Sequence, residues 1–572
     1  MTYDTDVLVV GSGPAGGSAA LLLATYGVRT LLVSKYGWVA NTPRAHITNQ
    51  RTLEVLRDLG VEQEALAAGT PQELMGDTVL CTALAGEEIG RIRTWGTGPA
   101  SLSEYATASP CGMIDLPQTY LEPILVSNAA ARGAKVRFDT EFLSLEQDSE
   151  GVTARLFDRV RGDEYTVRAR YLIGADGGRS LVAEQAGLPF AGQSGKAGSM
   201  NIVFKADLSQ YVAHRPSVLY WVMRPGAHLG GIGMGLVRMV RPWHEWLLTW
   251  GYDISQPPPE VDDAEATRIV HDLIGDPSIP VEITSTSLWT VNHSYATEYS
   301  AGRVFCAGDA VHRHPPSNGL GSNTSVQDAY NLAWKLAMVL RGEAGPGLLD
   351  TYSAERAPVG KQVVDRANLS RDQFGPIFEA LGIAGGTDDE GIVAGLAACR
   401  APEGVKRRQA LDEAIQLKNY EFNAHGVELN QRYASAAVLD DGGPAEEWAR
   451  DPELYHQPST RPGAKLPHAW LVNERAERVS TLDLVGGGRF TLVTGLAGGA
   501  WEPAARDAGV GFVRIGAAEA RDAYGEWGRV SGMAEEECLL VRPDGYIAWR
   551  GPKLADGHTE ELRRALSLVL QR

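Results

Sequence analysis

The chain has 572 residues, 44% of them apolar and 22% charged. That mix is globular, and the length provides for about four domains or subdomains and a core that needs no disulfide staples. A net charge of −18 argues against a basic face for nucleic acid or an anionic membrane, and no apolar stretch has spanning length, so neither partner is expected.

From the N-terminus, Thr5 to Val10 reads as a buried strand. Gly11, Ser12, Gly13, Pro14, Ala15 and Gly16 follow, then a small-residue and leucine helix over Gly17–Tyr26 and a second apolar strand over Thr30–Val33. Residues 76–100 are Gly-rich and strand-like. A helix is expected from Leu116 to Arg132, opening near Pro117. Thr166–Ala175 is a strand that runs into Asp176 and Gly177. Alternating apolar and aromatic residues from Asn201 to Trp250 predict a sheet. Arg303–Ala307 is a strand ending in Gly308 and Asp309, and Asn323–Leu340 is a long helix. Residues 366–435 read as mostly helical, 440–465 as a linker rich in Asp, Gly and Pro, and the last hundred residues as alternating strands and helices.

The cysteines, Cys81, Cys111, Cys306, Cys399 and Cys538, form no CxxC and are far apart. A disulfide framework, a zinc knuckle and a dithiol centre are therefore disfavoured, and a reducing cytoplasm is expected. The N-terminus lacks the basic region of a signal peptide.

GxGxxG alone is a weak signal. Here a strand precedes it, a helix follows it, and a second strand lies beyond. The glycines allow a tight turn and the close approach of a pyrophosphate to free N–H groups at the helix N-terminus. One feature departs from the pattern. The second strand ends in Ser34, Lys35 and Tyr36 where a ribose-binding acid is usual. The segment GQSGKAG has the wrong spacing for a phosphate-binding ATPase loop, and Ala197 follows its lysine.

Three motifs stand in order: GSGPAG, then YLIGADGGRS at 171–180, then GRVFCAGDAVHRHPPSNGLGSNTSVQDAYNLAWKLA at 302–337. Together they resemble the fingerprints of class A FAD-dependent aromatic hydroxylases, the superfamily of p-hydroxybenzoate hydroxylase. PRAHITNQRTLEVLRDLG, GRIRTWGT, HRPSVLYWV, YEFNAHGVELNQRY and DPELYHQPSTRPGA resemble the phenol ortho-hydroxylase branch, which extends the likeness over nearly the whole chain.

The resemblance implies an α/β and α+β protein. A Rossmann-like FAD domain would take residues 1–75, 101–186 and 289–365. An interleaved substrate sheet would take 76–100 and 187–288. A helical segment over 366–440 and a thioredoxin-like domain over 465–572, without CxxC, would follow. It also implies FAD as cofactor, NAD(P)H as cosubstrate, a small aromatic substrate, O2 and a homo-oligomer. In relatives, reduced flavin carries oxygen as a C4a-hydroperoxide to a carbon ortho or para to a ring hydroxyl.

Cofactor residues follow in the same way. They are Gly11, Gly13, Pro14, Ala15 and Gly16 of the first motif, and Asp176 and Gly177 of the second. Asp309 follows a buried strand, where its carboxylate can accept from a ribityl hydroxyl. Gly319, Leu320, Gly321 and Asn323 open the long helix, whose dipole can hold charge on the reduced flavin. Arg44, Gln118 and Pro316 match positions that meet FAD in relatives. His312 and His314 make a weak metal signal, since no third ligand has the right spacing, and they are expected to wall the flavin.

A phenolate is a better nucleophile than a phenol, so the site wants a base, and histidine suits neutral pH. His46 matches that base in the family, and Asp115 matches its acidic partner, expected to orient the ring and favour the imidazolium. A capping or core histidine is the alternative. Trp221 and Trp289 match pocket-lining positions, with core packing as the alternative. Arg238 is expected against the flavin, and Asn201 is a further substrate candidate. Two other functions stay open: a tailoring oxygenase doing Baeyer–Villiger or epoxidation chemistry, and a non-catalytic flavin-binding protein.

Overall fold

The computed structural model describes residues 3–223, 234–383, 389–553 and 557–572. Positions 224–233 of the expected substrate sheet lie outside them.

Strand β1 (Thr5–Val10), helix α1 (Pro14–Thr25) and strand β2 (Thr30–Val33) form a right-handed βαβ unit's core. The helix begins at Pro14, earlier than expected, because proline suits the first turn, where an N–H would be unpaired anyway. Five parallel strands lie in the order Val304–Cys306, Asp163–Gly174, β1, β2, Lys135–Arg137. Numbered along the chain this is 5-4-1-2-3, the doubly wound order that puts a dinucleotide at the strands' C-terminal ends. Its strands bury nearly continuous Val and Leu, as a sheet covered on both faces requires.

A second, eight-stranded sheet has the order His312–Arg313, Glu282–Ala296, Phe190–Lys205, Glu245–Tyr252, Gly235–Arg241, Leu219–Val222, Asp77–Cys81, Glu88–Arg93. The strand Glu282–Ala296 runs unbroken past the boundary expected at 288/289. Its residues 289–296 belong to this sheet, because pairing with Phe190–Lys205 continues through Ala296. Helix Asp263–Ile274 lays Ala266, Ile269, Val270 and Leu273 on the same core as Ile202, Val237 and Leu248. A three-stranded ribbon, strand β3 (Ile47–Thr48), Ile114–Asp115 and Thr70–Pro71, brings the His46 loop beside Asp115.

The C-terminal part orders Gly511–Arg514, Thr491–Thr494, Cys538–Val541 and Ile547–Gly551, with one parallel and two antiparallel pairings. Helices Trp501–Ala508 and His558–Val569 flank it in a thioredoxin-like arrangement. Its attachment is ionic as well as apolar. Arg542 reaches across to Glu355 at 2.6 and 2.8 Å, and Glu355 also takes Lys335 at 2.8 Å; all three are fully buried. Asp544 closes the set on Arg542. No described helix is long and apolar enough to cross a membrane.

Truncating Glu355 leaves two buried cations short of an anion. Glu355→Ala is expected to lower stability by about 3–5 kcal/mol, read as a shifted urea midpoint at equal FAD loading.

Candidate active site

Two helix N-termini meet the ends of the parallel strands. Helix α1 opens at Gly13 with no side-chain cap, and the long helix Gly321–Leu340 opens at Leu320 likewise. Both leave backbone N–H groups for an outside anion or carbonyl. Gly11 has φ +105°, and a Cβ there would lie 2.1 Å from the Ala175 oxygen. A Cβ on Gly16 would lie 1.9 Å from the Gly11 oxygen. The turn thus closes to a tightness that only glycine permits. Gly177 has open space outward, and a Cβ on Gly13 would meet only Glu122 Oε1, at 3.7 Å.

The Gly308–Asp309 turn sits against Ala15 and Ser325. Among the described residues the Asp309 carboxylate has no hydrogen-bond partner and it is exposed, as a ribityl acceptor needs to be. Uncapped helix ends, glycine clearance and a free carboxylate together fit FAD.

Several expected cofactor residues have other work. Asp176 accepts from Ser180 Oγ at 2.5 Å and from Val182 N at 3.1 Å, so its side chain closes the turn into the helix Leu181–Gln185. Gln118 donates to Glu122, which also takes Ala40 N. Asn323 is spent as a tie: Oδ1 accepts from Asn49 N at 3.0 Å, and Nδ2 donates to the Ile47 and Gly319 oxygens at 2.8 and 2.6 Å. Its side chain joins the base loop to the glycine loop and does not reach outward. Gly319, at φ +62°, lies so close to Ile47 that a Cβ would meet it at 2.8 Å. Arg44 is exposed and bonds Thr42, Pro316 is exposed, and Leu320 packs with Val359, Val363 and Val427.

His46 and Asp115 do meet. Nδ1 lies 3.2 Å from Asp115 Oδ1 and Nε2 lies 3.0 Å from the Pro43 oxygen, with both residues buried. Arg238 is not placed as expected. Its Nη2 donates to Asp115 Oδ2 at 2.5 Å, so it belongs to the same cluster as the base. The long guanidinium arm crosses from the second sheet because an unpaired buried carboxylate would be costly.

This changes the expected charge of the histidine. Burial lowers the His46 pKa, Arg238 lowers it further, and Asp115 recovers only part. His46 is therefore neutral at neutral pH, although the carboxylate beside it was expected to favour the imidazolium. Burial pushes the Asp115 carboxyl up, but Arg238 and His46 outweigh it and hold it ionised below the usual range.

The four substrate candidates share one sheet face. Trp221 pairs with Leu236, Leu236 with Thr249 and Thr249 with Asn201 across neighbouring strands. Arg238 lies two residues beyond Leu236, and Trp289 pairs with Ser199, two residues before Asn201. The two-residue side-chain period puts all of them on the same side, the side that meets Asp115. Asn201 Oδ1 accepts from Trp289 Nε1 at 3.0 Å and from Thr249 Oγ1 at 3.1 Å.

Two partners escaped the sequence reading. Asp328, inside the long helix, accepts from Gly308 N and His312 Nε2, each at 3.0 Å, and from Arg356 Nε at 2.7 Å. That explains His312, which is a support for the Asp309 turn. His314 bonds the Pro315 oxygen through Nδ1, and burial with His312 nearby lowers its pKa to about 4. Glu428, in the segment YEFNAHGVELNQRY, is buried with Oε2 unpartnered among the described residues. A carboxylate at a core-facing helix position was the available signal for both.

An FAD binding domain family matches residues 4–367, and an aromatic-ring hydroxylase C-terminal family matches 459–572. The chain belongs to the FAD-dependent aromatic-ring hydroxylases. It is an FAD-dependent monooxygenase in class, using NAD(P)H and O2 on a small aromatic compound. It is 56% identical to the 2,4-dichlorophenol 6-monooxygenase of Cupriavidus pinatubonensis, over 100% of this chain and 97% of that protein. It is 51% identical to a phenol 2-monooxygenase of Pseudomonas sp., over 97% and 91%. A crystal structure of the flavin-dependent monooxygenase PieE with FAD and substrate matches at TM-score 0.95 and 46% identity, covering 100% of both chains.

Burial raises the Glu428 carboxyl of this hydroxylase from 4.5 to about 8. The folded chain then holds a proton that the unfolded chain releases, so stability falls as pH rises from 4.5 to 8 and levels off above. Glu428→Gln should abolish that slope. The stability gap between variant and wild type should widen up to about pH 8 in denaturation curves.

Proposed function

We propose that this enzyme hydroxylates a phenol-like ring, a hydroxylated aromatic or a hydroxypyridine, and that His46 takes the proton of the ring hydroxyl. The observation that carries the reading is the buried triad His46–Asp115–Arg238 on the substrate face of the second sheet. The activities of the relatives at 56% and 51% identity support a phenol more than does a likeness at 33% identity to a putative polyketide hydroxylase.

FAD, when bound, takes electrons from NAD(P)H and supplies one oxygen atom of O2 to the ring. The chain's own residues do the rest. The α1 N-terminus with Gly13 and Pro14 would receive the pyrophosphate, Asp309 would accept from the ribityl chain, and Leu320 and Gly321 would offer N–H groups to the flavin. Asp115 can only accept, so Nδ1 of His46 carries the hydrogen, and the Nε2 lone pair faces the Pro43 oxygen, a contact that becomes a hydrogen bond only when the ring takes a second proton. The substrate hydroxyl gives its proton to Nε2. The Pro43 carbonyl then accepts from the imidazolium and steadies it. Arg238 keeps Asp115 charged, so the ring stays oriented without being protonated beforehand. Apolar and aromatic neighbours exclude water from the reacting carbon.

The division at residues 75, 100, 186 and 365, amended at 288/289, is the domain reading that goes with this function. A homo-oligomer is carried over from the family resemblance. A cytoplasmic location is supported by five buried, free cysteines.

The test follows NAD(P)H oxidation, peroxide and hydroxylated product over a panel of phenols and hydroxypyridines. His46→Ala is expected to cut product formation about a hundredfold or more at unchanged FAD content, with Asp115→Asn close behind. If no phenol stimulates oxidation, or ketones are turned into esters, the reading fails.

A further inference from the structure

The substrate face holds a donor that nothing in the protein uses. Trp221 is buried, 5% exposed, at the centre of the strand Leu219–Val222. Its ring packs against Phe374 at 4.5 Å between centroids. Its indole Nε1–H has no hydrogen-bond partner among the described residues. One strand away Leu80 pairs with Trp221, and Thr78, two residues before it on the same face, has its Oγ1 likewise buried and without a partner among the described residues. By contrast, the indole N–H of Trp289, on the same face, is satisfied by Asn201. The difference is chemical. One end of the face closes its own hydrogen bonds, and the other leaves them open.

A buried donor left unmade costs about 1–3 kcal/mol, and a site that carries one discriminates against ligands that cannot fill it. The open end lies one strand from Arg238, which leads to Asp115 and His46.

Resting on the hydroxylase reading above, we infer that the preferred substrate is a phenol bearing a second hydrogen-bond acceptor, a carbonyl, nitro or ring-nitrogen group, that takes the Trp221 indole N–H. Trp221 is then a specificity residue as well as a wall. Bare and alkyl phenols fit the same space but leave the N–H unpaired.

The test compares two phenols of matched size, 3-hydroxyacetophenone and 3-isopropylphenol, by the change each makes in the flavin spectrum of oxidised holoenzyme. Wild type should bind the ketone about tenfold more tightly. Trp221→Phe, which keeps the ring and deletes the N–H, should lose about tenfold on the ketone and less than about twofold on the isopropyl compound. The same two-compound ratio in wild type needs no variant. Equal wild-type affinities overturn the inference, and so does a variant that weakens both compounds alike. If both compounds bind with the expected ratio but neither is hydroxylated, the function reading falls and the specificity reading stands. If neither perturbs the flavin nor stimulates oxidation, both fall.

Discussion

Everything at the reacting centre hangs on a single buried carboxylate. Asp115 lies on the small ribbon beside the cofactor sheet, and its anion is shared between His46 and an arginine from the other sheet. Taking that charge out of water is tolerable only with the guanidinium in place. The pair therefore ties the ribbon to the second sheet. It also sets the protonation state of the base. A carboxylate next to histidine usually raises its pKa, but here burial lowers it most and the arginine's field adds to that lowering.

A second carboxylate works in the same manner one layer away. Asp328 gathers Gly308 N, His312 and Arg356, and Arg356 continues to Gln431 and Tyr433. The segment YEFNAHGVELNQRY thus reaches the cofactor loop through a chain of buried bonds. Another part of that segment, His425, bonds Gln50 and stacks on Tyr105 at 3.8 Å. Its length and charge pattern look like an ordinary helical stretch, yet it braces the base loop and the flavin loop together.

Local patterns carried much of the architecture. The first βαβ unit, the strand before Asp309 and the long helix are legible because short apolar runs and glycine turns are local signals. Sheet order and cross-sheet contacts are not local. Arg238 reads equally well as a flavin contact until the register shows which face it shares and which carboxylate it meets. Asn323 and Gln118 sit at cofactor positions in the pattern, yet their side chains are consumed by Asn49, Ile47, Gly319 and Glu122. Asp328 was hidden because an acid in a helix normally signals solvent. The boundary at 288/289 failed because a strand can serve one sheet while its sequence neighbours the motifs of the other.

The contacts of Arg542 bear on how this chain can be taken apart. A tail with its own sheet and two helices looks like a detachable module, and without CxxC it looks like a relic. Its arginine, however, supplies a counter-charge for Glu355 inside the cofactor domain's helices. Cutting the tail away would strip that carboxylate of its strongest partner and open the flank of the helix that begins at the flavin. The tail braces the helices of the cofactor-binding part through buried ion pairs, and a shortened enzyme would be an unfinished one.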